Sequence, residues 1–155
     1  MSDLWNNLEV STQLLDLNEF KQQLKVELKP KRYKHFSKGS KIGNSLLTRV
    51  RLDRSELNLH KFSIGQIDSP ECSCHAKNES SIHYLTECFL YSSERQTLYN
   101  LVEHYVPQFK TMNKNRKYEV LVLGIDPANS DFLQTNTTIS IAVQKFIFET
   151  KRFSC

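Results

Sequence analysis

The 155-residue chain is short of residues that break or loosen structure, with four glycines, four prolines and one tryptophan. That scarcity excludes a collagen-like or Gly/Pro-rich low-complexity chain. Long apolar runs are missing as well. No stretch approaches the ~18 apolar residues of a membrane span, and the charge-free segment 133–144 is studded with Thr, Ser, Asn and Gln. The opening Met1-Ser2-Asp3-Leu4-Trp5-Asn6-Asn7 has neither the basic flank nor the apolar core of an export signal. The expected setting is the reducing nucleus or cytoplasm, with no membrane partner. Catalytic signatures are also lacking. No two of the seventeen Asp/Glu residues are adjacent, as the paired metal-binding carboxylates of a polymerase would favour. Gly39 and Gly43 lack the following Gly-Lys-Ser/Thr of a phosphate loop, and no Gly-x-Ser-x-Gly elbow occurs. No catalytic residue is assigned, and the chain reads as non-enzymatic.

Acidic residues are absent from one long interval. Between Glu27 and Asp53 stand Lys29, Lys31, Arg32, Lys34, Lys38, Lys41, Arg49 and Arg51, so this block carries +8 in a chain of net charge +4. A basic block inside an otherwise acidic chain points to a local polyanion contact. Ring side chains interleave with the charge in Lys31-Arg32-Tyr33-Lys34-His35-Phe36. Lysine and arginine neutralise phosphates and release counterions, while rings such as Tyr33 and Phe36 can stack on exposed bases. The same composition also suits a solvated linker between two helical parts.

Apolar spacing is mostly helical. Leu4, Leu8 and Leu15 recur near a helical period, as do Phe20, Leu24 and Leu28 before Pro30, with Asn18 placed to cap the second segment. Further helices are expected from about Asn44 (Leu46, Leu47, Val50), after a Ser80 cap (Ile82, His83, Leu85), and after a Ser93/Gln96 capping box (Leu98, Leu101, Val102, Tyr105). Two more are expected over 116–123, ending at Gly124, and over 137–152, aligning Ile139, Val143, Phe146 and Ile147. Phe62 and Ile64 alternate with polar neighbours and suit a short strand or extended segment.

Cysteine is scarce but clustered, with three of the four cysteines within seventeen residues. Cys72, Cys74, His83 and Cys88 read as C-x-C-x8-H-x4-C. Three thiolates and one imidazole form the donor set of a closed, four-coordinate structural zinc site, with no position left for water. A turn after Pro70 can aim Cys72 and Cys74 at one point. His83 and Cys88 sit about one and a half helical turns apart, so the turn between them must open or tighten. Buried free thiols are the competing reading. His75, adjacent to Cys74, chelates poorly beside it and is expected to face solvent. Cys155 is expected as a free thiol, and His35, His60 and His104 as surface or internally satisfied residues.

These four residues, with segments 45–49 and 57–65, resemble the zinc-knuckle (CCHC) C-terminal tail of non-LTR, LINE-type retrotransposon reverse transcriptases. Leu4-Trp5-Asn6-Asn7-Leu8 and Leu17-Asn18-Glu19-Phe20-Lys21-Gln22-Gln23-Leu24-Lys25 are similar to the stretch between polymerase and knuckle, with Glu9 where that pattern usually has proline. Leu46-Leu47-Thr48-Arg49-Val50-Arg51-Leu52 and Leu57-Asn58-Leu59-His60-Lys61-Phe62 resemble the family's "L-L-T-R-L-R" and "L-N-x-H-[KR]-F". Val122-Leu123-Gly124 and Val143-Gln144-Lys145-Phe146-Ile147 look like its final helices. The resemblance implies a module that assists binding of RNA or target DNA, with a reverse transcriptase polymerase domain as a further partner.

The expected fold is therefore mainly α. A helical arm and basic linker (1–41) would precede a zinc-knuckle module (42–107) carrying a short extended segment, with C-terminal helices (108–155) packed on it. The expected function is non-catalytic, Zn2+-dependent binding of RNA or DNA, with a zinc-stabilised structural or protein-interaction module, or a non-functional retroelement remnant, as the alternative.

Overall fold

The computed structural model describes residues 33–153. The helices expected around Leu4 and Leu24, the basic residues Lys29, Lys31 and Arg32, and Cys155 lie outside the described residues. The described residues form six α-helices: α1 (Lys41–Arg51), α2 (Asn58–Ser63), α3 (Ser81–Thr86), α4 (Ser92–Tyr105), α5 (Lys114–Leu123) and α6 (Leu133–Glu149). Short 3-10 turns at Lys34–Ser37, Phe89–Tyr91, Phe109–Thr111 and Ser130–Phe132 introduce or link them. The described residues contain no strand. None of their helices is long and apolar enough to cross a membrane.

Helix starts follow side-chain oxygens. Ser40 Oγ accepts from Gly43 N (2.9 Å), Ser80 Oγ from His83 N (3.2 Å) and Asn113 Oδ1 from Arg116 N (2.9 Å), each satisfying an otherwise orphaned donor. The Ser40 and Asn113 caps start α1 and α5 three and two residues ahead of the expected starts at Asn44 and Arg116. At the other end of α5, Gly124 takes φ 90°, a conformation open to glycine. There a Cβ would also come within 2.4 Å of Asn136 Oδ1, which accepts from Ile125 N.

The longest helix, α6, packs against α1, α4 and α5. Its Ile139, Val143, Phe146 and Ile147 meet Leu46, Leu47 and Val50 of α1, Leu98 and Val102 of α4, and Val120 and Leu121 of α5 in one core. Each such side chain, fully buried, contributes about 1.5–3 kcal/mol. Tyr84 of α3 lies in an aromatic cluster with Tyr91, Phe146 and Phe153, at 5.3–5.4 Å between ring centroids. Its hydroxyl donates to Thr150 Oγ1 (2.6 Å).

Three expectations are corrected. The extended segment at Phe62 and Ile64 is instead the end of α2. A carboxylate distant in sequence, Glu79 Oε2, accepts from Asn58 N (2.8 Å) and caps this helix, which no local pattern foretells. Phe62 and Ile64 are 45% and 52% exposed, so their alternation marks no buried face. The Ser93/Gln96 capping box does not form, because α4 starts two residues earlier, with Tyr91 at its N-cap, out of the 3-10 turn that follows Cys88. Leu101 and Tyr105 are exposed, and the inward face of α4 is Arg95, Leu98 and Val102. Finally, α6 starts at Leu133 rather than near Thr137, with Thr137 and Thr138 hydroxyls donating to carbonyls four residues back.

The part of the basic segment that is described is folded. The Lys34–Ser37 turn packs on α6, and buried His35 donates from Nε2 to the Leu123 carbonyl (2.9 Å). Gln144 of α6 reaches beneath the start of α1, donating from Nε2 to Lys38 O (3.0 Å) and Asn44 Oδ1 (2.9 Å). Gly39 and Gly43 leave the room for it. A Cβ on Gly43 would fall 2.3 Å from Gln144 Oε1.

Two outcomes follow from this packing. Alanine is the better helix former by ~1 kcal/mol, yet Gly43→Ala should lower stability by about 1–3 kcal/mol through overpacking. Urea unfolding will register it, and a stabilised variant would refute the latch. Burial, assisted by the Arg51 charge and opposed by the bond to Leu123, holds His35 below its ordinary 6.5. As pH falls below 6.5 the unfolded chain takes a proton that the folded chain resists, so stability is lost toward acid. His35→Gln should flatten the dependence of unfolding free energy on pH between about 7 and 5. An unchanged slope would contradict this.

Candidate metal centre

The segment from Pro70 to Glu79 doubles back on itself. Glu79 N donates to Pro70 O (2.8 Å), Cys72 N to Ala76 O (2.9 Å) and His75 N to Cys72 O (2.8 Å). The last bond closes a tight turn over Cys72-Ser73-Cys74-His75, which brings both thiols to one side. His75 takes φ 66°, a left-handed conformation that histidine tolerates better than most residues. Its side chain is 88% exposed and lies 3.7 Å from Glu71.

The other two ligands come from α3. The His83 carbonyl accepts from both Glu87 N and Cys88 N, each at 2.9 Å. The final turn therefore widens by one residue, and Cys88 leaves the helix facing the same centre as His83. This is the opening that a spacing of five residues demands.

The four ligand atoms of Cys72, Cys74, His83 and Cys88 all lie within 4.8 Å of one another. Cys72 Sγ is 3.7 Å from Cys88 Sγ, and Cys74 Sγ is 3.2 Å from His83 Nε2. Two thiolates on one tetrahedral zinc at ~2.3 Å stand about 3.8 Å apart, and a thiolate and an imidazole nitrogen about 3.5 Å apart. These two pairs match those edges to within a few tenths of an ångström. They are far from the ~2.05 Å of a disulfide, and all three thiols are free. The group can hold a metal ion, and its donors fit one.

Burial opposes thiolate formation here. It pushes the Cys72 thiol up to about 12 and raises Cys88 as well. Cys74 is lowered, because backbone N–H donation at Ala76 and the neighbouring thiols outweigh its desolvation. Burial also holds His83 below its usual value, in the neutral form that binds metal. A bound cation reverses the thiol balance, since a coordinating thiol is deprotonated outright.

The supporting shell is polar and ordered. His83 Nδ1 faces Glu87 Oε2 at 3.9 Å, which leaves Nε2 for the centre, and Glu87 is held by Lys114 Nζ at 3.0 Å. Buried Glu79 pairs with both Arg152 nitrogens Nε and Nη2 while capping α2, tying the loop's return to the C-terminal segment. Arg95 donates to three carbonyls, those of Leu85 (3.0 Å), Tyr84 (3.0 Å) and Cys88 (2.7 Å). The Tyr84 and Leu85 carbonyls belong to the last turn of α3, where helix amides run out, while Cys88 O also accepts from Tyr91 N (3.3 Å) and Leu85 O from the Tyr99 hydroxyl (3.5 Å). Sequence reasoning missed Arg95 and Arg152. The signal for Arg95 was its register: it falls three and seven residues before Leu98 and Val102, on a stripe otherwise apolar.

The expected nucleic-acid residues divide into two groups. Lys34, Lys38, Lys41 and Arg49 are exposed. Arg51 and Phe36 are engaged internally. The Arg51 guanidinium lies 3.5 Å from the Phe36 ring centroid, and Nε donates to Val122 O (2.8 Å). Tyr33, half-buried, stacks on His35 at 5.9 Å. Phe36 therefore lends a face to arginine within the fold. No protein-family model, curated protein or solved structure matches the chain.

The metal-free chain must bury the Cys72 and Cys88 thiols and a histidine, with Cys74 half-buried beside them, without the ion they surround. Structural zinc contributes an apparent ~10–16 kcal/mol at neutral pH, against a net domain stability of ~5–15 kcal/mol. Adding a strong chelator, or substituting Cys74→Ser, should therefore disorder at least residues 62–105. Hydrogen exchange reads this directly, and amide protection that survives both treatments would refute it.

Proposed function

We propose that the chain is a non-catalytic, zinc-stabilised module that binds RNA or DNA through the basic segment before and along α1, in the manner of the retrotransposon reverse transcriptase tails it resembles. The observation that carries the reading is the closed set of four protein donors, Cys72, Cys74, His83 and Cys88, gathered within 4.8 Å. Four protein ligands leave no open position on the ion, so the metal's role is to hold structure. Binding then falls to other residues. On α1, Lys41, Ser45 and Arg49 are exposed and four residues apart, on one line along the helix, and Lys38 precedes it. No acidic residue interrupts this interval. Such groups contact phosphates, which position a nucleic acid without reading its sequence. Zinc suits the site through its thiolate-rich donors and its indifference to redox state.

A second reading, a zinc-stabilised protein-interaction module, draws on the surface beside the metal. Phe89 follows the ligand Cys88 directly and is 63% exposed, and Leu90 is exposed next to it. Glu71 and Glu87 flank the ligands and disfavour phosphate at the knuckle itself.

Salt dependence separates the two. With six basic groups on a single strand, log K should fall against log salt with a slope of about −4. Replacing Lys38, Lys41 and Arg49 together with glutamine should make the slope shallower by about 2. A flat titration of the unmodified protein would dispose of the nucleic-acid reading, and an unchanged slope in the variant would move the contact elsewhere.

A further inference from the structure

Arg95 is 7% exposed, and among the described residues it forms no ion pair. Its three bonds all go to carbonyls, which are neutral partners. Glu87, the carboxylate beside the ligand Cys88, is held by Lys114 instead. A buried cation without a directly paired anion is costly, and Glu87 acts on Arg95 only through space, its own contact going to Lys114. The shortest of its bonds, 2.7 Å, is to the carbonyl of Cys88. Three thiolates and one neutral imidazole around a divalent ion leave a net charge of minus one. The filled centre is thus the anion that Arg95 lacks.

We infer that Arg95 is the counter-charge of the metal–thiolate centre, a positioning residue that favours the ion bound by all three cysteines as thiolates. The inference rests on the metal reading above. In the filled state the guanidinium offsets the charge of the centre, while its fork fixes the Cys88 backbone and the end of α3. In the empty state it keeps only the carbonyls. Metal binding and the Arg95 charge are therefore coupled, which a residue that merely packs α4 would not show. Lysine at this position keeps the charge and gives up the fork; glutamine gives up both charge and fork.

The test uses the full chain loaded with zinc and titrated with a chromophoric chelator, for the unmodified protein, Arg95→Lys and Arg95→Gln. Cobalt substitution checks that each retains a tetrahedral thiolate site, and urea unfolding with and without metal reports stability. Arg95→Gln should bind zinc about 10–100-fold more weakly, the range for outer-shell residues, and should lose more stability with metal than without. Arg95→Lys should stay near the unmodified affinity even if its metal-free form is less stable. The inference is overturned if the glutamine variant binds as tightly as the unmodified protein, losing equal stability in both states. It is overturned too if lysine weakens binding as much as glutamine, which would assign the effect to the hydrogen bonds. Arg95→Met, which keeps the packed stem, repeats the comparison should the glutamine variant fail to fold. Failure of the unmodified protein to bind zinc would remove the metal reading itself, an outcome distinct from either.

Discussion

Four side chains from two short segments share one small volume, and the local structure around them follows from that constraint. A six-residue helix is too short to persist alone in water. Here α3 is held by Ser80 at its start, by Arg95 at its end and by Tyr84 and Leu85 in the core. Its widened last turn places His83 and Cys88 on one side, and the reversed segment 70–79 supplies the facing pair. A divalent ion at their centre would convert three buried groups and the half-buried Cys74 into a cross-link between these pieces.

Charge is divided by location. Around the centre, two carboxylates are paired, Glu79 with Arg152 and Glu87 with Lys114. Along α1 and the turn before it, Lys34, Lys38, Lys41 and Arg49 remain exposed. Arg51 belongs to neither set. Between the Phe36 ring and the Val122 carbonyl, it joins the 3-10 turn to the end of α5. One basic block thus contains both a fold-building arginine and exposed cations.

Much of this was legible beforehand. Apolar stripes on α1, α5 and α6 run at helical spacing, and Ser80 with Gly124 marked two boundaries through capping and left-handed geometry. The candidate metal-holding set was readable because ligand spacing is written in the chain, including the need for His83 and Cys88 to share an opened turn. What escaped depended on partners remote in sequence. α2 is capped by Glu79, twenty-one residues away. Arg51 is partnered by a carbonyl seventy-one residues on. Arg95 is an exception, since its carbonyls lie only seven to eleven residues away, but they face it only because α3 ends where it does. Periodicity reports which face is apolar, and it carries no information on where a distant carboxylate or carbonyl will stand.

The most direct test of the central claim is native mass spectrometry of the purified protein, repeated on His83→Ala. The account predicts one zinc ion per unmodified chain, lost on acidification, and a much reduced zinc content in the variant. A folded chain carrying no metal, or one whose zinc content is indifferent to His83, would contradict it.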